Sequence, residues 1–596
     1  MIGVVQALDA AQGITDRGFT FVGARGPGED LTLSFDELRL EALRRASHLR
    51  AMGLAKGDRL ALVIPEGEEF IPTFLAALWL GVVPVPLYPP VSLGKLDAFM
   101  DALVGILNVA QPKALVTSER VGKVLWSAVG KVDTLERVIL TSELRAEVPL
   151  IDPPPHPADD EIAFLQFTSG STSAPKGVMV THGNLKANSK AILHDGLHWR
   201  PGDVTVSWLP LYHDMGLIGM VLCPIVVHMP AVYIPTISFI KNATLWMETM
   251  HKHGGTLTFA PNFAYALVTR RARAEQIARW DLSRLRVLGC GAEPIHPDTI
   301  RAFLAAFEPA GLRPTAILPC YGMAEATLAM SFTPLGDPFK TDRIDQERYH
   351  ADRKAAPSAN GAATMEVVCC GRAFPVHELS IQDEDGRILP DRSVGEICFR
   401  GPSVTAGYWN NAEATRAAGL GRAGGWLRTG DLGYMVAGEV YVSGRLKDIL
   451  IVNGRNYYPQ RIEWAVEELR GVRRGSTVVF SRPGRASEEV VIAVETRERD
   501  PEKLRAAIVG KVSEDLQLAV ADVALVPPGS IPKTSSGKLQ RRKTREMYLR
   551  GTLGKEGGRA AGGMGNRLLA AKHLAYSLVG RARHEARGLM RKLTGA

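Results

Sequence analysis

The stretch LQFTSGSTSAPKG, residues 165–177, decides how this 596-residue sequence is interpreted. A short apolar run leads into a loop rich in glycine and hydroxyl side chains, and glycine tolerates the backbone geometry in which successive N–H groups converge on an anion. The loop is not a Walker A motif, because no glycine stands immediately before its lysine. A polar surface turn is the alternative. The candidate phosphate contacts are Thr168, Ser169, Gly170, Ser171, Thr172 and Lys176.

Composition and charge set the broad class of the protein. The net charge of +8 is concentrated beyond residue 554, where nine Lys/Arg face two acids, so nucleic-acid binding is not indicated. No apolar run reaches the 18 residues of a spanning helix, and the N-terminus lacks the order of a secretion signal, so we expect a cytoplasmic enzyme. The six cysteines have no CxxC spacing and are expected to be buried reduced thiols.

The pattern of apolar residues predicts an α/β fold. Strand-like and helix-like runs alternate between residues 33 and 288, which indicates helix-covered, largely parallel sheets. The apolar run 218–237 contains several prolines and is interpreted as buried strands and turns. Short alternating strands from about 366 to 444 predict a small β-barrel-like subdomain, and residues 445–550 predict a small α+β C-terminal domain. The glycine-rich stretch that begins at residue 551 predicts a linker to a tail ending at 596.

Six further motifs follow the loop in a fixed order: WLPLYHDMGLIG (208–219), LGCGAEPI (288–295), CYGMAEATL (320–328), RTGDLGY (428–434), GRLKDILIVNGRNYYPQRIE (444–463) and IPKTSSGKLQRRK (531–543). Together with the loop they resemble the adenylate-forming superfamily of acyl-CoA ligases, luciferase-like enzymes and adenylation domains. The loop, PVPLYPP (84–90) and LPLYHDMGLIG resemble the fatty acyl-AMP ligase branch most closely. The resemblance implies a large N-terminal adenylation domain (1–444) and a mobile C-terminal domain (445–550).

The resemblance implies that a fatty acid carboxylate attacks the α-phosphorus of ATP, with Mg²⁺ present, to give acyl-AMP and pyrophosphate. The phosphate loop would hold the departing phosphates, and Glu325 would place Mg²⁺. Asp431 would accept the ribose hydroxyls and Arg445 would contact the ribose or the α-phosphate. The adenine would lie against a set of residues drawn from two motifs: Gly291, Ala292, Glu293, Tyr321, Gly322 and Met323.

Three further positions have roles implied by the resemblance. Lys538 would stabilise the charge that develops between carboxylate and α-phosphate, and is the predicted main catalytic residue. His213 would lie at the mouth of the acyl pocket, although a structural hydrogen-bond pair with Asp214 is the alternative. Lys447 or Asp448 would be the pivot between the domains.

The acceptor of the acyl group is open between two alternatives. Residues 337–366 resemble an insertion of acyl-AMP ligases, which implies transfer to the phosphopantetheine thiol of a separate acyl carrier protein. Coenzyme A is the alternative acceptor, and a catalytically silent binding protein is a third hypothesis. The basic tail, residues 567–593, has apolar residues near helical spacing. It could contact an anionic membrane or a carrier, or pack on the body of the protein.

Overall fold

The computed structural model describes residues 1–90, 96–168, 175–359, 362–421, 424–452, 455–484, 488–516, 518–534, 538–555 and 577. The strands, in chain order, are β1 Gly18–Gly26, β2 Glu29–Ser34, β3 Arg59–Val63, β4 Val83–Pro86, β5 Ala114–Thr117, β6 Arg137–Leu140, β7 Ile162–Thr168, β8 Lys176–Thr181, β9 Thr205–Ser207, β10 Ala231–Tyr233, β11 Leu257–Ala260, β12 Val287–Cys290, β13 Ile317–Gly322, β14 Ala329–Phe332, β15 Thr341–Asp345, β16 Thr364–Val368, β17 Arg372–Ala373, β18 Glu378–Gln382, β19 Gly395–Arg400, β20 Leu427–Val436, β21 Glu439–Arg445, β22 Leu450–Val452, β23 Arg455–Tyr457, β24 Val472–Pro483, β25 Glu488–Thr496 and β26 Val520–Val526.

The α-helices are α1 Val4–Asp9, α2 Phe35–Ala51, α3 Gly67–Leu80, α4 Leu96–Ala110, α5 Glu119–Val129, α6 His182–Lys190, α7 Cys223–Val226, α8 Thr236–Lys241, α9 Leu245–His253, α10 Asn262–Arg271, α11 Ala274–Ile277, α12 Pro297–Phe307, α13 Gln346–Ala351, α14 Ala412–Ala417, α15 Pro459–Glu467, α16 Pro501–Leu516 and α17 Arg541–Leu549. Within the described ranges, no helix is both long and apolar enough to cross a bilayer. The predicted linker and basic tail lie almost entirely outside the described residues.

The largest sheet organises the N-terminal part of the chain. Its strand order is β17-β14-β13-β12-β11-β9-β10-β1-β2; the central strands from β13 to β1 are parallel to one another, whereas β14 and β2 pair with them antiparallel. A second, parallel sheet has the order β4-β3-β5-β6. Parallel strands place their carboxyl ends at one edge of a sheet, which is where ligands bind in such folds. The turns after β9, β11, β12 and β13 therefore meet at one edge.

Local sequence explains several element boundaries. Helix α2 begins after Ser34, whose hydroxyl accepts the Glu37 backbone N–H at 3.2 Å, while the Glu37 carboxylate accepts the Ser34 N–H at 2.7 Å. This reciprocal pair satisfies two backbone donors that a helix N-terminus leaves open. Helix α3 ends at Leu80, and the following Gly81 adopts a left-handed backbone conformation with φ 73°.

The smaller units follow in the order that the sequence predicts. Strands β18 to β21 form a four-stranded antiparallel sheet, and β24, β25 and β26 form a three-stranded sheet with its own buried core beneath α15 and α16. The predicted α/β class, with a large N-terminal and a small C-terminal domain, is confirmed. The boundary predicted after residue 444 falls within β21.

One segment differs from the prediction. The run 218–237 was expected to form strands and turns, but Met215–Leu222 is a π-helix that continues into α7, and only β10 is a strand there. Periodicity does not distinguish a short buried strand from a buried helical segment, because every position in both is apolar.

Candidate active site

One large cavity, of about 2570 Å³, lies at the carboxyl edge of the largest sheet. Its walls come from the N-terminal domain and from the C-terminal elements β24, α15 and α17. The predicted site residues that line it are Thr168, Lys176, His213, Ala292, Glu293, Tyr321, Gly322, Met323, Glu325, Asp431, Arg445, Lys447, Asp448 and Lys538. The topology thus brings together residues that are up to 370 positions apart in the sequence, from 168 to 538.

The phosphate loop joins the two strands of a hairpin. Strands β7 and β8 are antiparallel, and Thr168 pairs with Lys176 at the base of the loop. The predicted contacts Ser169, Gly170, Ser171 and Thr172 lie outside the described residues. The ammonium of Lys176 lies 4.9 Å from the ring centroid of Tyr408, so an aromatic face holds this lysine at the rim of the cavity.

Tyr408 also contacts the predicted metal ligand. Its hydroxyl donates a hydrogen bond of 2.7 Å to Oε1 of Glu325, and Thr405 donates through its backbone N–H and its hydroxyl to the Glu325 carbonyl, each at 3.0 Å. Burial raises the pKa of Glu325, while the Tyr408 hydrogen bond acts in the opposite direction. A cation bound at this carboxylate would favour its ionised form, and carboxylate oxygen is the donor that Mg²⁺ prefers, so the residue fits a magnesium ligand.

Asp431 is the centre of a hydrogen-bonded group at the nucleotide end of the cavity. Its Oδ2 accepts from the Tyr321 hydroxyl at 2.8 Å, and its Oδ1 pairs with Arg445 Nε at 3.1 Å. Burial raises the pKa of Asp431, whereas Arg445 and Tyr321 oppose that rise. The pKa of Arg445 is raised in turn by Asp431. The carboxylate is therefore held in a fixed orientation by two residues that the family resemblance also predicts as nucleotide contacts.

The turn before Asp431 is held by a residue that sequence reasoning missed. Glu396 accepts hydrogen bonds from Arg428 Nε at 2.7 Å and from the Gly430 backbone N–H at 2.9 Å. The Thr429 hydroxyl donates to the Ile397 carbonyl at 2.6 Å. These bonds connect the RTGD motif to β19 and give its threonine and arginine a structural role beside Asp431, the predicted ribose contact.

The two glycines beside the predicted adenine contacts have packing reasons of their own. A Cβ on Gly291 would lie 2.6 Å from Cys320 Sγ, and one on Gly322 would lie 2.0 Å from the Leu328 carbonyl oxygen. Ala292 has a left-handed φ of 67°. Glu293 accepts the Phe263 backbone N–H at 2.7 Å, which ties the end of β12 to the start of α10. Because Gly291 and Gly322 have no side chain, the backbone at these two positions lies close to the space beside Tyr321.

His213 and Asp214 lie in the turn between β9 and the π-helix. Asp214 accepts the Met215 backbone N–H at 2.8 Å, so its side chain caps this helix. Burial, and next the charge of Lys538, lowers the pKa of His213 to about 3. The imidazole is therefore neutral at neutral pH. Gln166 supports the same turn through a 2.9 Å hydrogen bond from its Nε2 to the Tyr212 carbonyl, a link that the sequence analysis did not include.

Lys538 enters the cavity from the C-terminal domain. Its backbone N–H donates to the Thr534 hydroxyl at 3.0 Å, and its carbonyl accepts the Thr534 N–H at 2.7 Å. Its charge lowers the pKa of His213 and opposes the burial-driven rise of the Asp214 and Asp431 pKa values. The ammonium therefore acts on both the carboxylate end and the nucleotide end of the predicted site.

The predicted pivot residues differ in their surroundings. Lys447 is exposed, whereas Asp448 accepts a 2.5 Å hydrogen bond from Arg541 Nη1. Arg541 also donates to Glu463 at 2.8 Å and to the Val479 carbonyl at 2.9 Å.

The insertion 337–366 forms the hairpin β15–β16 with α13 between its strands. The Tyr349 hydroxyl donates to Ser443 Oγ at 2.5 Å, just before the predicted pivot, and its ring lies 5.4 Å from that of Tyr458, just after it. Asp342 anchors the hairpin to the small sheet by accepting from Tyr434 and Arg392, each at 3.0 Å. The insertion therefore contacts the chain on both sides of the predicted pivot.

Comparison with known proteins agrees with this geometry. The AMP-binding enzyme family matches residues 11–409, and the AMP domain of the Disco-interacting protein 2-like family matches residues 447–557. A putative acyl-CoA synthetase of Caulobacter vibrioides is 38% identical over 92% of this chain and 96% of its own. A long-chain-fatty-acid–AMP ligase, FadD26, of Mycobacterium marinum is 37% identical over 87% of this chain and 91% of its own.

A third relative and two solved structures complete the comparison. A medium-chain-fatty-acid–[acyl-carrier-protein] ligase, JamA, of Moorena producens is 34% identical over 89% of this chain and 92% of its own. A structure from work on fatty acyl-adenylate ligases of E. coli and L. pneumophila superimposes with a TM-score of 0.86 at 35% identity, covering 92% of this chain and 98% of the other. The L. pneumophila ligase solved with acyl adenylate and pyrophosphate superimposes with a TM-score of 0.69 at 30% identity, covering 92% of this chain and 96% of the other. The chain belongs to the AMP-binding enzyme family and is a ligase that forms acyl-AMP.

Proposed function

We propose that the protein activates a medium- or long-chain fatty acid as its acyl-adenylate and then transfers the acyl group to the phosphopantetheine thiol of an acyl carrier protein. The observation that carries this proposal is the insertion bridging the predicted pivot through Ser443 and Tyr458. Contacts on both sides of the pivot limit, without abolishing, rotation of the small domain, and the family resemblance associates such an insertion with transfer to a carrier protein rather than to coenzyme A. The carrier-protein ligase of Moorena producens supports this choice of acceptor.

The first half-reaction forms a bond between a carboxylate oxygen and the α-phosphorus and breaks the bond to pyrophosphate. Because positioning and charge neutralisation dominate such transfers, each residue has an electrostatic task. Lys538 neutralises charge between the two reactants. Lys176, with the hydroxyl and backbone groups of residues 168–172, neutralises the leaving pyrophosphate. Mg²⁺ at Glu325 would supply further neutralisation of phosphate charge.

The remaining residues position the substrates. Asp431 orients the ribose, with Arg445 beside it, and Tyr321 covers the adenine, with Gly291, Ala292 and Glu293 along the edge or opposite face of the base. The low pKa of His213, about 3, makes its ring a neutral hydrogen-bonding group beside the fatty acid carboxylate. A neutral ring leaves the positive charge at that carboxylate to Lys538.

The fatty acyl chain would occupy the apolar part of the cavity. Residues there come from the π-helix, from β11, and from β14 and the residue before it: Gly219, Met220, Phe259, Leu328 and Phe332. The polar residues of the nucleotide end lie in the same continuous space, so a chain bound among these apolar side chains can present its carboxylate to Lys538. This arrangement matches a fatty acid better than a polar substrate.

We also propose the division of the chain into 1–444, 445–550 and 551–596, with the small domain rotating between the two half-reactions about Lys447 or Asp448. The separate hydrophobic core of the C-terminal elements supports independent movement. The contact of the basic tail with a membrane or carrier stays a prediction.

Coenzyme A is the second candidate acceptor, which the 38% identity to a putative acyl-CoA synthetase favours. The test is to incubate the protein with ATP, Mg²⁺ and a series of fatty acids, offer coenzyme A and holo carrier protein in parallel, and identify the products by mass spectrometry. We expect the carrier protein to be acylated and no acyl-CoA to accumulate. Abundant acyl-CoA from the unmodified protein would refute the proposed acceptor.

A variant can test the reason for that choice. Replacing Tyr458 by Ala removes the ring that packs on Tyr349, and we expect acyl-CoA to become detectable while pyrophosphate release is retained. If the variant makes adenylate normally and still makes no acyl-CoA, contact between the insertion and Tyr458 does not determine the acceptor.

A further inference from the structure

Gln166 is a buried polar residue in the mainly apolar strand β7. Side chains alternate between the two faces of a strand, so Gln166 shares a face with Phe164 and Thr168. Phe164 belongs to the main hydrophobic core, whereas Leu165, on the other face, packs in the core of the second sheet. Only 2% of the Gln166 surface is exposed. Because buried polar groups are costly, the carboxamide at this position requires a partner.

The hydrogen bonding of the Gln166 carboxamide is one-sided. Nε2 donates to the Tyr212 carbonyl at 2.9 Å, while Oε1 is buried and, within the described ranges, has no partner. Reversing the amide would bring its oxygen against the carbonyl oxygen of Tyr212, which excludes that orientation. An apolar side chain of similar shape would leave no unpaired oxygen in the side chain. The glutamine is therefore explained by the carbonyl that it binds and not by packing.

The carbonyl that Gln166 binds belongs to the peptide that precedes His213. A peptide group is planar, so its C=O and its N–H turn together. The N–H of this peptide, on His213, donates to the Pro210 carbonyl at 3.2 Å. The carbonyl of His213 itself accepts the Leu217 N–H at 2.8 Å. Hydrogen bonds therefore fix the backbone on both sides of the His213 Cα, and the bond from Gln166 ties this backbone to β7.

The position of the His213 ring depends on this backbone. The ring lines the cavity, and its centroid lies 5.1 Å from that of the Tyr212 ring. The Tyr212 ring lies in turn 6.3 Å from the ring of Tyr88. A neutral imidazole offers a substrate a hydrogen bond, which weakens steeply as its angle departs from linearity. A small rotation of the peptide before His213 is therefore expected to weaken that hydrogen bond.

We propose that Gln166 is a positioning residue for the fatty acid: through the Tyr212 carbonyl it directs the His213 ring at the substrate carboxylate. This inference rests on the proposed role of His213. Gln166 lies two residues before Thr168 on the same face of β7, so one strand supports both the phosphate loop and the turn at the carboxylate. All of these residues belong to the large domain, so the link persists when the small domain rotates.

The main test is Gln166→Met, because methionine is similar in length and cannot donate a hydrogen bond. The change removes the unpaired Oε1 and leaves the Tyr212 carbonyl without its donor, so the melting temperature should change little. The control is Gln382→Met. Gln382 is also buried, at 6% exposure, its Nε2 donates to Ser380 Oγ at 2.9 Å, and it does not line the cavity. Pyrophosphate release is measured at varied fatty acid and at varied ATP concentration.

Gln166→Met should raise KM for the fatty acid about fivefold, the scale of one hydrogen bond, and leave KM for ATP unchanged. Gln382→Met should match the parent in both values. His213→Ala should also raise KM for the fatty acid. Adding Gln166→Met to His213→Ala should have little further effect, because Gln166 acts through His213.

Gln166→Glu adds a measurement that a purely structural role would not change. An ionised carboxylate cannot donate to the Tyr212 carbonyl, whereas a protonated carboxyl group can. Burial raises the pKa of a carboxyl group, so the donor should return as the pH falls from about 8 to about 6. The ratio of KM for the fatty acid between this variant and the parent should therefore fall toward one over that range. A ratio that does not change with pH contradicts the inference.

The remaining outcomes separate this inference from the proposed function. If no fatty acid causes the unmodified protein to release pyrophosphate, the proposed function is wrong. If release occurs but His213→Ala leaves KM for the fatty acid unchanged, the role of His213 is wrong and the inference fails with it. If His213→Ala raises KM and Gln166→Met does not, or if their effects add, Gln166 does not position His213. If Gln166→Met does not fold, the pH series of Gln166→Glu decides the question.

Discussion

The two halves of the site are built differently. In the N-terminal half, side chains hold one another: Asp431 accepts a hydrogen bond from Tyr321 and pairs with Arg445 at the domain boundary, and Glu325 accepts a hydrogen bond from Tyr408. In the C-terminal half, Lys538 is positioned by two hydrogen bonds between its own backbone and Thr534. If the proposed roles hold, nucleotide recognition is preorganised in the large domain, whereas the charge required for transfer is brought by the small one. Variants should therefore separate binding from chemistry.

The largest effect is expected at Lys538. Lys538→Ala removes the charge that stabilises the transition state, and adenylate formation should slow by roughly 10²–10³-fold, with little change in KM for ATP. Fatty-acid-dependent pyrophosphate release measures this rate. Lys503→Ala, at an exposed position on α16, is the matched control. A rate within a factor of two of the parent would exclude the assigned role.

The second effect concerns the N-terminal half. Asp431→Asn removes a charged acceptor and leaves Arg445 without its partner, so KM for ATP should rise by about 10–100-fold, the scale of one charge-assisted hydrogen bond. Initial rates at varied ATP concentration measure this change. Asp385→Asn, at an exposed turn, should behave like the parent. A fall in kcat with unchanged KM for ATP would contradict the division between the two halves.

The third effect tests the position of the acyl chain. A Cβ at Gly219 would lie 3.2 Å from Leu328 Cδ2, so a larger side chain there occupies the apolar end of the cavity. Gly219→Leu should lower kcat/KM for the longest accepted fatty acid by about tenfold relative to the shortest, since each excluded methylene forfeits about 0.8 kcal/mol of burial. Competition between fatty acids of different length measures the ratio. An unchanged ratio would place the chain elsewhere.

The smallest effect should come from Tyr408→Phe, which removes the hydrogen bond to Glu325. That bond lowers the Glu325 pKa against the rise caused by burial, so its loss raises the pKa further. The ionised carboxylate is present above its pKa, and the acid limb of the kcat/KM profile should therefore move to higher pH. We also expect Mg²⁺ to bind several-fold more weakly, so that half-maximal activity requires a higher Mg²⁺ concentration; this change corresponds to about 1 kcal/mol. If neither the pH profile of kcat/KM nor the Mg²⁺ titration changes, Glu325 is not a ligand of the metal.

The sequence predicted the fold well where patterns are local. Strands β5 and β18 lie within the two segments for which the pattern of apolar residues predicts strands, because short apolar runs between turn signals specify them. The π-helix Met215–Leu222 was missed since an apolar run carries no period. Motif order placed Asp431, Glu325 and Lys538 in one cavity, as the structure does. Tyr408 and Glu396 were missed because their partners are 83 residues and about thirty residues away, respectively, and no local pattern encodes such contacts.

The hydrogen bond between Arg541 and Asp448 limits which residues can change conformation when the small domain rotates. Arg541 ties Asp448 to Glu463 on α15 and to the Val479 carbonyl on β24, so Asp448 forms part of the rigid body of the small domain. On the other side, Arg445 is held by its pair with Asp431. We therefore expect the axis of domain rotation to pass through the two residues between these anchors, Leu446 and Lys447. Lys447→Pro should hold the small domain in one of its two arrangements. Asp448→Pro should mainly lower the free energy of unfolding.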